Sequence, residues 1–411
     1  MRKTRLWNRL LSLALCLCMV LSMLPGFQVL ALAAEPLTAT IDSGASVTLN
    51  DTDGDGFYEI GNVDELFAFS ALVNAGNNTI NGKLTADIVI NENVVDANGR
   101  LQGGSFREWV PIGRENLAYE GIFDGQGYTV SGLYFDEHGA YGGFFGNAGD
   151  SSQILNLGVV NSYIYIYRLG GGICGASSGL VKNCFNYNTP VKIGYIYAGG
   201  LVGHLMGRME NCYTSGKVTS NVNPHFAGAV CYYQHGEASI SNCYYMSGTY
   251  STAIQEQDRF AEVFSQEDLA SGKLAYKLQQ LDGNWGQNMD NGNTPTGYPL
   301  LNSTAVYHYQ QGICTAPTDV YTNTQTPHQY IHDTQQGDEA YTNGYCNVCR
   351  GYQAATLVTE SNYASLGVTE AHIGYYAASG AGQLMWFAEN HADVSKLVLS
   401  GDCTITSDMP W

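Results

Sequence analysis

In the stretch Gly171-Gly172-Ile173-Cys174-Gly175 a glycine pair precedes two apolar residues, and ten residues on comes Val181-Lys182-Asn183-Cys184-Phe185. Both signatures return together, as Gly199-Gly200-Leu201-Val202-Gly203 with Met209-Glu210-Asn211-Cys212-Tyr213. Upstream stand Gly142-Gly143-Phe144-Phe145-Gly146 and Ile154-Leu155-Asn156-Leu157. Downstream, a degenerate Ala227-Gly228-Ala229-Val230-Cys231 is followed by Ile240-Ser241-Asn242-Cys243-Tyr244. The glycine pairs are spaced 29, 28 and 28 residues apart, and the Asn positions 27, 28 and 31. A fixed period of this size marks a stacked array of one repeating unit.

Within each repeat the apolar runs are short, broken by Gly and Asn, and lack the 3.6-residue stripe of a helix, so they read as strands. Equivalent strands can stack only if they lie parallel, each coil pairing with the next. The expected fold is therefore all-β, a right-handed parallel β-helix with short α-helical caps. Asn183, Asn211 and Asn242 are expected to form a ladder of side-chain amides from coil to coil. Cys184, Cys212 and Cys243 should follow as stacked buried thiols, with a disulfide between neighbouring coils as the competing arrangement.

Composition narrows the function. The chain has 411 residues, of which 45% are hydrophobic and only 13% charged, so its surface must be Gly, Asn, Ser, Thr and the 29 Tyr. Its formal charge is −19, and the Lys/Arg footprint that nucleic acid requires is missing. Arg2, Lys3, Arg5 and Arg9 precede the apolar run Leu10–Leu24, and Ala31-Leu32-Ala33 supplies small residues for cleavage, the pattern of a secretory leader over 1–34. Without it 14 basic residues face 37 acids, and no later segment is apolar enough for a transmembrane helix. The location implied is secreted or cell-surface.

Other segments frame the array. Asn62 and Glu65 form a capping box before the apolar face Leu66, Phe69, Leu72 and Val73, a helix suited to covering the end of the stack. Ser265 to Asp268 starts a second helix, expected to run through Leu274, Leu278 and Leu281 to Gly283, with Trp285 and Tyr298-Pro299-Leu300-Leu301 closing the module. Tyr376, Leu384 and Phe387 repeat the spacing of Tyr58, Leu66 and Phe69, and Met409-Pro410-Trp411 falls where Trp109 opens the first array. The division is thus a leader (1–34), a β-helix module (35–250, with coils over about 141–250), a helical cap and closing segment (251–311), a small Cys/His linker (312–355) and the cut-off start of a second module (356–411). That pattern reads as a piece of a longer protein.

The glycine-rich repeats, with Trp109-Val110-Pro111-Ile112-Gly113 and Phe123-Asp124-Gly125-Gln126-Gly127-Tyr128-Thr129-Val130-Ser131-Gly132-Leu133, resemble the GLUG-motif β-helices of large secreted and cell-surface proteins of Gram-positive bacteria. The likeness spans roughly residues 51–250. It implies repeat scaffolding, found in front of some immunoglobulin-A-cleaving metallopeptidases, with no catalysis assigned to the repeat itself.

Candidate sites are few. Asp51, Asp53 and Asp55, with Gly56 at position six, match the start of a calcium loop, although position twelve is Asn62 rather than Glu. Cys314, His328, Cys346 and Cys349 offer four ligands of the kind zinc takes, with His332 competing for His328 and a Cys346–Cys349 disulfide as the alternative. No cofactor is required by any motif. H-E-x-x-H, G-x-S-x-G and phosphate-loop signatures are missing, and a glycosidic carboxylate pair would have to come from Asp124 and Asp136. In Tyr163-Ile164-Tyr165-Ile166-Tyr167, alternation sends the Ile inward and the Tyr outward, with Tyr195 and Tyr197 at related positions one coil on, giving an exposed aromatic stripe for glycan or protein. The expectation is a non-catalytic exported scaffold or adhesion module whose partner is a surface glycan or host protein. The rival readings are a carbohydrate-active β-helix enzyme and an accessory region of a larger surface peptidase.

Overall fold

The structure, a computed structural model, describes residues 33–137, 139–220, 227–233, 238–249, 261–289, 297–309, 320–323, 330–334, 340–346, 354–390 and 394–403. Nearly all of the expected leader, and Met409-Pro410-Trp411, lie outside them. Two compact units divide between Val263 and Phe264. Among the described residues no helix is long and apolar enough to cross a membrane.

The first unit is mostly β, a parallel solenoid of about six turns. A full coil has five short strands, as in Gln153–Leu155, Gly158–Val160, Tyr163–Ile166, Leu169–Gly171 and Cys174–Ser177. Each pairs in parallel with its equivalent one coil on, Leu180–Lys182, Phe185–Tyr187, Val191–Ile193, Tyr197–Gly199 and Val202–Leu205. The coil therefore has five sides, here called the first to fifth sheets in that order.

Strands this short demand sharp corners. Between the first and second sheets the chain turns at Asn156, Asn183, Asn211 and Asn242, all with φ between +50° and +56°, the left-handed conformation that Asn tolerates better than other residues with a side chain. The side chains then link coil to coil: Asn183 Nδ2 donates to Asn156 Oδ1 at 2.9 Å, Asn211 Nδ2 to Asn183 Oδ1 at 2.8 Å, and Asn242 Nδ2 to Asn211 Oδ1. A second corner, between the second and third sheets, repeats the device with Asn161 and Asn188. Between the fourth and fifth sheets backbones approach so closely that a Cβ on Gly171 would lie 2.4 Å from Cys174 O and 2.5 Å from Leu201 O, which accounts for the glycine pairs.

Inside, equivalent residues pile up. Phe144, Ile173, Leu201 and Val230 form one fully buried column. Cys184, Cys212 and Cys243 form another; all three are free thiols, so the disulfide alternative is not the one adopted. Each donates to the carbonyl two residues back, Cys184 Sγ to Lys182 O at 3.3 Å, Cys212 Sγ to Glu210 O at 3.1 Å and Cys243 Sγ to Ser241 O at 3.3 Å. Burial pushes the thiols of Cys212 and Cys243 far up, and that of Cys174 up to about 12.

The N-terminal end is covered by a hairpin, Leu37–Thr40 with Ser46–Leu49, and by helix α1, Val63–Asn74, which joins the parallel strands Phe57–Ile60 and Asn81–Leu84. Asn62 Oδ1 accepts from Glu65 N, and the Glu65 carboxylate reaches back to Gly61 N at 2.7 Å, one residue before the cap position expected of a capping box. Leu66, Phe69, Leu72 and Val73 are buried, Phe69 against Phe123 and Tyr119.

In the second unit the Ser265 capping box forms, but the helix is two pieces, α2 (Gln266–Ala270) and α3 (Lys273–Gln279). Gly272 at φ +83° breaks it, and Leu281, expected on the buried face, is 53% exposed. Trp285 is fully buried and pairs with Leu301. Farther on, Tyr376–Ala378, helix α4 (Ala381–Glu389) and the parallel strand Leu397–Leu399 repeat the strand–helix–strand order of the first cap. The buried helix residues there include Met385 and Trp386, while Leu384 and Phe387 are half-buried. Gln383 Oε1 accepts from Ser379 N at 2.6 Å, the counterpart of the Glu65–Gly61 bond.

Two outcomes follow. Asn211→Ala should lower unfolding free energy in urea by about 2–4 kcal/mol, losing two amide bonds and straining the corner, and Asn211→Gly should recover roughly 1 kcal/mol of that. In native protein Cys174, Cys184, Cys212, Cys231 and Cys243 should resist iodoacetamide and become alkylated only in denaturant, as read by peptide mass mapping.

Candidate functional site

The outer face of the third sheet carries the tyrosines. Ile164 and Ile166 are fully buried, so the alternation places Tyr163, Tyr165 and Tyr167 outward, as expected. They do not, however, form one exposed stripe. Tyr163 is only 6% exposed, because Val94 and Val95 pack over it while its ring stacks on Tyr134. Tyr165 is half-buried between Asp136 and Lys192 of the flanking strands. Tyr167 and Tyr195 are 43% and 50% exposed and stack on each other, with 5.5 Å between ring centroids and 12° between planes. Tyr197 belongs to the fourth sheet, opposite Leu169, where its ring stacks on Tyr232 at 3.9 Å beside His204. The five candidate residues thus resolve into a covered ring, a half-buried ring, an exposed pair and a separate cluster.

Val94 and Val95 lie on a flap, residues 91–108, that leaves the second sheet after Ile88–Val89 and returns at Glu108, which bridges Tyr134. Asn91 anchors its root, its Nδ2 donating to Arg107 O and Gly132 O while its Oδ1 accepts from Arg107 N. The Asp96 carboxylate accepts from Asn98 N and Arg100 N, and Asn188 Nδ2 donates to Asp96 O at 3.0 Å, pinning the tip to the corner three coils on. Beneath the flap is a cleft of about 310 Å³. The tyrosine alternation gave no sign of this flap. The polar run from Asn91 to Ser105, far too long for a corner between strands, was the available signal.

The acidic loop does assemble. Carboxylate oxygens of Asp51, Asp53 and Glu59 come within 4.8 Å of one another. Lys83, from the neighbouring strand, stands among them, its Nζ 2.6 Å from Asp53, 2.8 Å from Asp55 and 3.7 Å from Glu59. Burial alone would depress the Lys83 pKa, but its bonds to Asp53 and Asp55 raise it overall. Burial likewise raises Asp51, yet N–H groups of Ala34, Gly56, Gly54 and Asp55 outweigh that and hold it below the usual carboxylate range. The Lys83 ammonium thus offsets the charge of Asp53, Asp55 and Glu59 at one side of the loop. Glu59 and Lys83 are the residues that the spacing of acids did not reveal.

The other candidates divide differently. Asp124 terminates the main amide ladder: its Oδ1 accepts from Asn156 Nδ2 at 2.9 Å and from Gln126 N. Asp136 accepts from the Tyr134 hydroxyl at 3.0 Å, which with burial pushes that phenol up to about 12. Cys314, His328 and Cys349 lie outside the described residues. Cys346 ends the strand Ala340–Cys346, which pairs antiparallel with the strand holding His332, and their side chains are likewise outside the description.

Residues 194–219 match the family model of the GLUG motif. The chain is 28% identical over 192 residues to Halomucin of Haloquadratum walsbyi, covering 42% of this chain and 2% of that protein. It is 32% identical over 79 residues to a candidate Gly-rich membrane protein of Evansella cellulosilytica, covering 18% and 9%. The match thus takes in only a small part of either relative's length. Among solved structures, a candidate immunoglobulin A1 protease from Bacteroides ovatus is similar at 17% identity and a TM-score of 0.34, over 60% of this chain and 92% of that one. The GLUG match occupies one coil, from the turn at Gly194 to the strand Val218–Ser220.

Replacing Lys83 by Met should leave the acids of the loop facing one another. The melting temperature should fall by a few degrees and be restored by calcium at about 1 mM, whereas wild type should melt at the same temperature with calcium or with EDTA.

Proposed function

We propose that the chain is a non-catalytic scaffold of the cell exterior that presents the corner between its third and fourth sheets to a glycan. The exposed, mutually stacked Tyr167–Tyr195 pair, in the bends that follow the third-sheet strands, carries this reading: two large rings in contact with solvent supply the flat apolar surface and edge hydroxyls that sugar rings stack on and bond to. Three further observations support it. The sheets beneath are continuous ladders, which suit a spacer. Asp124 and Asp136, the carboxylates a glycosidic mechanism would need, are engaged by the amide ladder and by Tyr134. The N-terminal basic and apolar pattern is that of export.

Glycan-array binding by wild type and by Tyr167→Ala/Tyr195→Ala tests the reading. The double variant should keep its melting temperature and bind the wild-type hits roughly tenfold more weakly. Unchanged binding, or no hit for wild type, would refute glycan recognition at this corner.

A further inference from the structure

The two Asn ladders differ at their N-terminal ends. In the main ladder every Nδ2 points to the preceding coil, and the last, on Asn156, is received by Asp124. In the second, Asn188 Nδ2 reaches Asn161 Oδ1 at 2.8 Å, but the preceding corner is Gly132, at φ +69°, with no side chain to receive Asn161. A Cβ at Gly132 would overlap Asn91 O, so the flap root excludes a side-chain acceptor there. The Asn161 amide instead lines the cleft under the flap, where its Nδ2 has no protein partner among the described residues.

The rest of the cleft has the same character. The exposed side chains of Glu92 and Asn93 line it, and neither has a partner among the described residues. Asp96 presents a carboxylate held ionised below its usual range by Arg100 N and Asn98 N. Val89, 46% exposed, contributes an apolar patch. No Lys or Arg side chain is among the lining residues. Amide donors, carboxylate acceptors and a small apolar patch match the hydroxyls and C–H face of an uncharged sugar, and two carboxylates, with only the Arg100 guanidinium near Asp96 to offset them, disfavour an anionic one. The volume is at the lower end for small-molecule sites and suits one or two rings.

We infer that the cleft between the 91–108 flap and the Asn161–Asn188 corner is a binding site for a neutral pyranose, with Asn161 Nδ2 donating to a sugar hydroxyl that takes the place Asp124 holds in the other ladder. This rests on the reading of the chain as a glycan-recognising scaffold, and it assigns a second, half-open site apart from the tyrosine pair.

Saturation-transfer NMR and calorimetry on the whole chain, with methyl glycosides of glucose, galactose and mannose and the methyl glycoside of galacturonate, test it. At least one neutral glycoside should bind, and the uronate should bind at least about tenfold more weakly. Glu92→Ala and Asn93→Gly, the latter keeping the left-handed backbone, should each weaken binding roughly tenfold, while Tyr167→Ala/Tyr195→Ala should leave it within a factor of about two. Binding that survives both cleft variants, or that accepts the uronate equally, would overturn the cleft. If wild type scores on the glycan array through the tyrosine pair but takes up no free glycoside, the cleft fails and glycan recognition stands. If neither assay shows binding, both fail.

Discussion

A coil of five three- or four-residue strands must reverse direction at every corner without leaving a backbone group unpaired, and that constraint shapes most of the chain. Asn satisfies it twice, by accepting positive φ and by donating its own amide to the preceding coil, so that a conformational cost at one residue becomes a hydrogen bond between rungs. Asn183 and Asn211 each both donate and accept in this way. A chain of amides with one direction needs an acceptor at its head, and the carboxylate of Asp124 is a strong one. The residue that looks most like a stray catalytic acid is therefore a terminus of the scaffold.

The same geometry governs the interior. Successive rungs place identical positions in van der Waals contact, so a column can hold only residues that pack on themselves. Phe185 and Tyr213, nearly parallel at 5.2 Å, do this with flat rings, and Cys184, Cys212 and Cys243 with small thiols. Each thiol donates to the carbonyl two residues back, at the end of the preceding strand, and the Cys212 sulfur also accepts from Cys184 N of the neighbouring coil at 3.3 Å. In this setting cysteine serves as a small buried side chain.

What could be read from the residues was whatever repeats along the chain. The period located the rungs, the Asn positions located a corner, and Ile164 and Ile166 located the inner face, because each follows from local pattern. What could not be read depends on distant segments meeting. Tyr163 alternates outward correctly, yet a flap some seventy residues earlier covers it. Acids counted along 51–55 gave no sign of Lys83, thirty residues on, whose ammonium pairs with Asp53 and Asp55. The helix from Ser265 breaks because Gly272 adopts a left-handed conformation that apolar spacing does not register.

The two caps show which part of such an element is essential. Between the first and the second, the N-cap side chain is lost, Asn62 giving way to Gly380, and the buried helix face shifts toward Met385 and Trp386. The acids of the preceding loop also disappear, with Thr369, Ala371 and Ile373 in their positions. Retained are the strand–helix–strand order and one bond, from a side chain on the first helical turn back to the N–H that ends the strand, Glu65 to Gly61 and Gln383 to Ser379. That N–H lies just past the last rung hydrogen bond and before the first helical one, so neither element can satisfy it. Closing it couples helix to rung, whether by a carboxylate or by a neutral amide, which makes geometry rather than charge the requirement for ending the stack.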